Sequence, residues 1–430
     1  MSRNFLMTTI LAIAVMGLSV LLGCSSSASS REVGPAPPKL PAPPAPAVAL
    51  QPEIPAPAVA PAPKAPAPPA PSVPSPDVAT VPNPESGDTY EEPQVMSLTA
   101  GKIDDNERWD EYLQYCSEYE GPVVHDLDVS ERYIITVRGA NDRPVPNASV
   151  TVLTDDVELF RGQTYANGQT VFFPRMYEDG ANIDIFEVSV EKDSLSESLE
   201  FARNETAEWV VELDTDELSI DAVPLDVLFL LDATGSMSDE IGQIKTTMLS
   251  ISERISALPS EPDLRFGMVT YRDRGDDFVT RTYPFETDVQ KFVHSIRGVE
   301  ANGGDDDPES LNEALHVALN DLEWREGDAI RLVFLIVDAP PHLDYEDDYD
   351  YAVEMLDAAG RGMKIFPIAS SGLDMQGEYI FRQIALHTMG RFIFILYDES
   401  TPHDVDQYSV ENLDDLIVEL VEEELAHLTG

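Results

Sequence analysis

A chain of 430 residues has room for two or three domains, each with a core of ordinary size. Asp and Glu number 79 against 27 Lys and Arg, a formal charge of −52 that repels nucleic acid and bare anionic membrane and so excludes both as direct partners. Such a balance suits a solvated acidic surface or a cation-binding one, and on charge alone the two are equivalent.

Arg3 precedes an apolar run from Phe5 to Leu22, the length of a secretory h-region and borderline for a spanning helix. The run ends Leu21-Leu22-Gly23-Cys24 and passes at once into Ser-rich sequence. This resembles a bacterial lipobox, with the small Gly23 at the cut site. The resemblance implies that residues 1–23 are a signal removed before Cys24 and that the Cys24 thiol is lipidated; a plain signal anchor is the alternative. Two or three acyl chains, at about 0.8 kcal/mol per buried CH₂, anchor a protein stably. Ser25, where sorting rules of that class would read Asp as retention, implies the outer membrane. Cys116, the other cysteine, is then unpaired and is expected as a buried small apolar residue.

From 24 to 97 most of the 34 prolines alternate with Ala. Proline without an amide donor and with fixed φ forms neither helix nor sheet, so this stretch predicts an extended spacer reaching on the order of 200 Å at about 3.1 Å per residue. A docking motif for a Pro-binding partner is the alternative. Residues 98–120 predict a short helix, with Ile103, Trp109, Leu113 and Cys116 on one stripe.

Residues 121–216 read as short strands separated by turn signals such as Asn141-Asp142-Arg143-Pro144 and Ala166-Asn167-Gly168-Gln169. The spacing predicts a small β-sandwich. The stretch 139–150 together with Thr164 to Gly168 resembles the carboxypeptidase-regulatory or transthyretin-like sandwich, which implies a spacer or binding module without a catalytic group.

Residues 221–430 alternate apolar runs with amphipathic segments. The runs 226–231, 264–270, 331–337, 364–369 and 391–396 carry Val, Ile, Leu and Phe without alternation, as strands buried on both faces do. Helices are predicted from near Ser238 and over 308–322, 346–361, 376–388 and 410–427, with 279–285 as an antiparallel edge strand. The fold class is α/β: a doubly wound, mostly parallel, Rossmann-like sheet.

Ligands of such sheets bind beyond the carboxyl ends of the strands. The first run passes into Asp232-Ala233-Thr234-Gly235-Ser236, the third into Asp338-Ala339-Pro340-Pro341-His342, and between them lies Gly303-Gly304-Asp305-Asp306-Asp307-Pro308-Glu309. Hydroxyl and carboxylate oxygens without thiolate or paired imidazole favour Mg²⁺, Mn²⁺ or Ca²⁺ over zinc. Acidic clusters converging at strand ends repel without a cation among them.

Asp-x-Thr-x-Ser, Gly-Gly-x-Asp-x-Pro-Glu and a strand ending in Asp resemble the metal-ion-dependent adhesion site of von Willebrand factor A domains. So do Tyr271-Arg272-Asp273-Arg274 and the Thr388-to-Phe392 entry to the last strand, and the resemblance spans about 225–430. It implies direct coordination by the Thr234 and Ser236 hydroxyls. It also implies that Asp232 and Asp338 act directly or through waters, and that an acidic side chain of a protein ligand fills the remaining position. The site departs from the pattern at Thr234, which keeps a hydroxyl, and at Asp306, where integrin-like domains have threonine. Three carboxylates against a divalent ion leave less attraction for an anion and let Ca²⁺ compete with Mg²⁺. His342 is expected as an exposed loop residue, with metal ligation the alternative. The run Asp344 to Asp350 is expected as a solvated helix N-terminus, with a weak Ca²⁺ site the alternative. The functional expectation is a lipid-anchored envelope protein, not an enzyme, that mediates adhesion or protein binding through the metal. The alternatives are a metal-dependent hydrolase or phosphatase, for which Thr234 stands where a second Asp is needed as general acid, and an envelope scaffold without metal-dependent binding.

Overall fold

The apolar runs of the C-terminal half become the centre of one eight-stranded sheet in the computed structural model, which describes residues 98–155, 157–177, 180, 182–215, 222–304, 308–396 and 410–429. Cys24, the apolar run before it, the Pro/Ala-rich segment and Asp306 lie outside the described residues. Among the described residues no helix is long and apolar enough to cross a membrane.

The chain begins with β1 (Thr99–Ile103) and α1 (Trp109–Glu118). Seven strands follow: β2 (Tyr133–Gly139), β3 (Ser149–Thr154), β4 (Val157–Gln163), β5 (Gln169–Phe172), β6 (Ile185–Lys192), β7 (Leu195–Ala202) and β8 (Glu208–Leu213). Next come β9 (Pro224–Asp232), α2 (Ile241–Ser256), β10 (Asp263–Tyr271), β11 (Thr280–Glu286), α3 (Val289–Arg297) and α4 (Leu311–His316). The last elements are β12 (Ile330–Val337), α5 (Tyr351–Gly360), β13 (Met363–Ala369), α6 (Met375–His387), β14 (Phe392–Leu396), β15 (Val410–Asn412) and α7 (Leu413–Thr429).

The large sheet runs β11-β10-β9-β12-β13-β14-β1-β15. Its centre, β10 to β14, is parallel, and β11, β1 and β15 add antiparallel edges. Helices cover both faces, which is why β9, β12 and β13 lack polar alternation. On one face Phe229, Phe334 and Phe366 pack with α2 and α7; on the other Leu228, Val333 and Leu335 pack with α4, α5 and α6. In α2, Ile244, Met248, Ile251 and Ile255 recur at helical spacing and are the buried side.

Three elements differ from the sequence expectation, the shortest being β15, which occupies the start of the helix expected over 410–427. Residues 99–103 are a strand, not part of a helix, and pair with β14, so this segment belongs to the same sheet as 224–429 and the seven strands from 133 to 213 intervene. Ile103 therefore leaves the helical stripe and lies in the sheet core. Gly101 permits the strand's close seat: a Cβ there would lie 2.4 Å from the Phe394 ring. Helix α3 is the second addition, with Phe292, Val293 and Ile296 buried and Asp288 capping its first turn through the Gln290 amide at 3.0 Å.

The intervening strands form a three-stranded sheet, β5-β2-β8, and a four-stranded sheet, β4-β3-β6-β7. Both contribute to one core in which the Trp209 ring stacks on Tyr133 at 4.2 Å and on Phe201 at 5.1 Å. The turn between β1 and α1 is tied to α6 by the buried Asp105–Arg382 pair, with two hydrogen bonds of 3.0 and 2.6 Å. Cys116 is half-buried beside Tyr112 and Tyr379 rather than fully enclosed, and burial raises its thiol pKa.

Candidate metal centre

Asp232 closes β9 at the centre of the sheet and is fully buried. The chain then turns. The Ala233 amide donates to the Tyr271 carbonyl at 2.9 Å, and Gly235 opens a 3₁₀ turn, Gly235–Asp239, that leads towards α2. The turn is set by Asp232 itself: its Oδ1 accepts from the Thr234 amide at 2.8 Å and from Thr234 Oγ1 at 2.6 Å. Thr234 Oγ1 lies 3.0 Å from Ser236 Oγ, and Ser236 is exposed. One carboxylate and two hydroxyls thus lie within hydrogen-bond contact, the second hydroxyl facing solvent.

Strand β12 runs parallel beside β9 with Ile336 opposite Leu231, which carries Asp338 just past the level of Asp232. Asp338 is buried. Burial, and then the nearby Asp338 charge, raise the Asp232 carboxyl pKa far above the usual carboxylate range. Asp232 Oδ2 and the hydroxyl of neighbouring Tyr271 are both buried without a well-formed hydrogen bond; the hydroxyl acts on the Asp232 carboxyl and offsets its raised pKa only in part. A buried acceptor left in this state beside a second carboxylate costs free energy that a cation would recover. Among the described residues no group of three or more His, Cys, Asp and Glu is placed to hold a metal ion; the polar groups at these two strand ends are the Asp232 and Asp338 carboxyls and the Thr234 and Ser236 hydroxyls. That is an oxygen-only set suited to a hard cation.

The third loop is laced to the first. Gly235 donates to the Gly303 carbonyl at 2.7 Å, Asn302 donates to the Ala233 carbonyl at 3.0 Å, and Arg272 clamps the Ala233 and Glu300 carbonyls at 3.0 and 2.8 Å. Gly304, at φ +62°, is held so close that a Cβ would lie 2.7 Å from Thr234 Cβ and 2.5 Å from Glu309 Oε1. Its amide donates to Asp276 at 2.9 Å. Beyond 305–307 the Glu309 amide donates to the Pro340 carbonyl at 3.0 Å, and the His342 amide to that of Glu309 at 3.2 Å. The flanks of Asp306 therefore contact both the Thr234 and the Asp338 loops, while Asp306 itself lies outside the described residues.

Sequence reasoning missed the layer beneath. Asp273 is buried and accepts from Ser310 Oγ at 2.8 Å. His342 is not an exposed loop residue: it is 6% exposed, stacks on Tyr345 at 3.9 Å, bonds Asp344 at 2.7 Å through Nδ1, and brings Nε2 to 3.5 Å from Asp273. The only sequence signal was the Tyr271-to-Arg274 stretch, which marks Asp273 without naming its partners. Of the Asp344-to-Asp350 run, Asp350 caps α5 through the Ala352 amide at 2.8 Å, and Asp348 accepts from Arg274 at 2.9 Å and from Asn312 at 3.3 Å. These are structural roles, in keeping with a helix N-terminus.

Residues 226–349, which hold all of these loops, match the family model of the von Willebrand factor A domain. The chain carries a von Willebrand factor A domain. A stretch of 172 residues is 29% identical to alpha-protein kinase vwkA of Dictyostelium discoideum, 39% of this chain and 27% of that protein. A stretch of 101 residues is 34% identical to human von Willebrand factor A domain-containing protein 7, 23% of this chain and 11% of that protein. Human hemicentin-1 is 34% identical over 91 residues, 21% of this chain and 2% of that protein. The matches thus span about a quarter or less of each relative's length. Domains of this family commonly mediate protein–protein interaction or adhesion.

Proposed function

We propose that the von Willebrand factor A domain holds a divalent cation, Mg²⁺ with Ca²⁺ or Mn²⁺ as competitors, and through it binds a protein ligand that presents an acidic side chain. Thr234 and Ser236 would hold the ion through their hydroxyls, with Asp232, Asp338 and Asp306 directly or through waters. The bound ion supplies a Lewis-acidic position for an incoming carboxylate. The observation that carries this reading is the fully buried Asp232 carboxyl beside Asp338, with no ion-pair partner among the described residues. Thr234 itself fixes Asp232 Oδ1, so the position two residues on carries a hydroxyl rather than the carboxylic acid a phosphatase of this strand geometry needs; this supports a binding module over an enzyme. Isothermal titration with Mg²⁺ and Ca²⁺ tests the site: Asp232→Ala is expected to abolish binding, and unchanged affinity would refute it. Envelope-protein capture with and without EDTA tests the ligand half, since capture that ignores EDTA supports a metal-independent scaffold. The lipobox-like sequence supports acylation of Cys24 and an outer-membrane location. Mass spectrometry finding an uncut N-terminus with unmodified Cys24 would overturn that part.

A further inference from the structure

At the end of the sheet opposite the metal centre, where β12 begins, lies a cavity of about 640 Å³ lined by Gln163 of β4, Trp324, Arg325, Arg331, Arg361 and Met363. In a chain with 79 acids and 27 bases, three arginines facing one cavity require a local explanation. Two of them have counter-ions. Arg325 pairs with Asp226 at 3.3 Å and Asp263 at 2.8 Å, and Arg361 with Asp357 at 3.2 Å. Arg331 differs. It is 5% exposed, and its guanidinium donates only to neutral oxygens: the Arg325 carbonyl at 2.7 Å, Asn147 Oδ1 at 2.9 Å, the Gly327 carbonyl at 3.0 Å and the Arg361 carbonyl at 3.4 Å. Among the described residues no carboxylate lies within ion-pair distance of it.

The acids that act on Arg331 from further away are committed elsewhere or open to water. Asp226 is held by Arg265 through two hydrogen bonds of 2.8 and 2.6 Å, and Asp328 is paired with Lys192. Glu326 lines the cavity, as does Glu323, with both side chains exposed at its mouth. A buried guanidinium without a carboxylate carries a desolvation cost that carbonyl dipoles offset only in part, and burial lowers its pKa accordingly. Arg361 adds a second cation that is more than a third exposed, with only Nη1 engaged by Leu319, Asn320 and Asp357.

We propose that this cavity is a binding site for a small oxyanion group, a carboxylate or a phosphate, with Arg331 as its buried anchor and Arg361 as the adjustable second donor. The two glutamates at the mouth disfavour an extended polyanion, so a single compact anionic group fits best. The site is separate from the metal centre and does not depend on it.

The test uses the full chain labelled with 5-fluorotryptophan, stripped of metal on a chelating resin and kept in metal-free buffer so that the metal site plays no part. Its three tryptophans give three ¹⁹F signals, and Trp324 lines the cavity. Acetate and inorganic phosphate are titrated separately at constant ionic strength against chloride. The expected result is a saturable shift confined to the Trp324 signal, weakened about tenfold or more in Arg361→Gln, which loses one charge-assisted fork. Saturation by acetate alone assigns a carboxylate ligand, and saturation by phosphate alone assigns a phosphate ligand. A shift that saturates with neither salt, or is the same in Arg361→Gln, overturns the proposal and leaves Arg331 as a clamp on backbone carbonyls.

Discussion

The proposed cation site should be a weak point of the fold in metal-free protein, and Asp232→Asn measures by how much. Burial and the Asp338 charge take the Asp232 carboxyl from 3.8 to about 7. Keeping it ionised at pH 8 in the metal-free protein therefore costs on the order of 4 kcal/mol. Asparagine keeps the Oδ1 that Thr234 caps and removes the charge, but its amide must be buried in place of Oδ2, at a cost of about 1–3 kcal/mol. The net expectation is a metal-free variant more stable than the parent by roughly 1–3 kcal/mol, or about 2–10 °C in Tm for a domain of this size. The sign depends on pH. Between 3.8 and about 7 the folded parent binds the extra proton, so its stability falls as pH rises through that window. The advantage of the variant is thus present at pH 8 and gone near pH 4. Calorimetry in EDTA reads this. In Mg²⁺ at about a hundred times Kd the parent should gain roughly 2.7 kcal/mol and the variant nothing. A variant less stable than the parent in EDTA, or one stabilised equally by Mg²⁺, would refute the reasoning.

Three further outcomes follow from particular residues. Because a proton competes with the cation for Asp232, Mg²⁺ affinity should weaken by up to about tenfold per pH unit below 7 and level off above it; titration calorimetry across that range checks it. Gly304→Ala places a Cβ 2.7 Å from Thr234 in a left-handed backbone, so Gly304 should move off Thr234 and Mg²⁺ binding should lose about 1–3 kcal/mol, read from the same titration. His387 is fully buried with Nε2 unbonded, and burial lowers its pKa to about 3. The unfolded chain takes up that proton near pH 6.5 and the folded one does not, so stability falls with pH below 6.5 by about 1.4 kcal/mol per unit from this residue. His387→Leu should lower the loss between pH 7.5 and pH 5 by roughly 2 kcal/mol in urea unfolding.

The parts of the fold that were legible in sequence are those whose signal is local. Val227 to Leu231 and Leu332 to Val337 are buried on both faces, and uninterrupted apolar sequence says so without knowledge of neighbours. The placement of Asp232, Thr234, Ser236 and Asp338 was legible because they follow the ends of such strands, where an open parallel sheet places its ligands. Strand β1 was not. Its five residues are too few to separate a period of two from a helical stripe, and its partner Leu396 to Phe392 lies at the far end of the chain. Helix α3 carried its signal in Asp288 and in Phe292, Val293 and Ile296, but a nine-residue helix between an edge strand and a Gly-Gly loop is easily read as connection. The burial of His342 comes from a ring stack and a contact to Asp273 that no spacing encodes. Arg331 opens an apolar strand and looks like an ordinary boundary charge; only the arrangement of Asp226, Asp328 and Asp357 around their own partners shows that it lacks one.

Crystals grown in Mn²⁺ and measured at its absorption edge give the shortest route to the central claim. The account predicts an anomalous peak bounded by Asp232, Thr234, Ser236 and Asp338, absent from crystals of Thr234→Ala. An occupied Mn²⁺ position elsewhere with none among these four residues would contradict it.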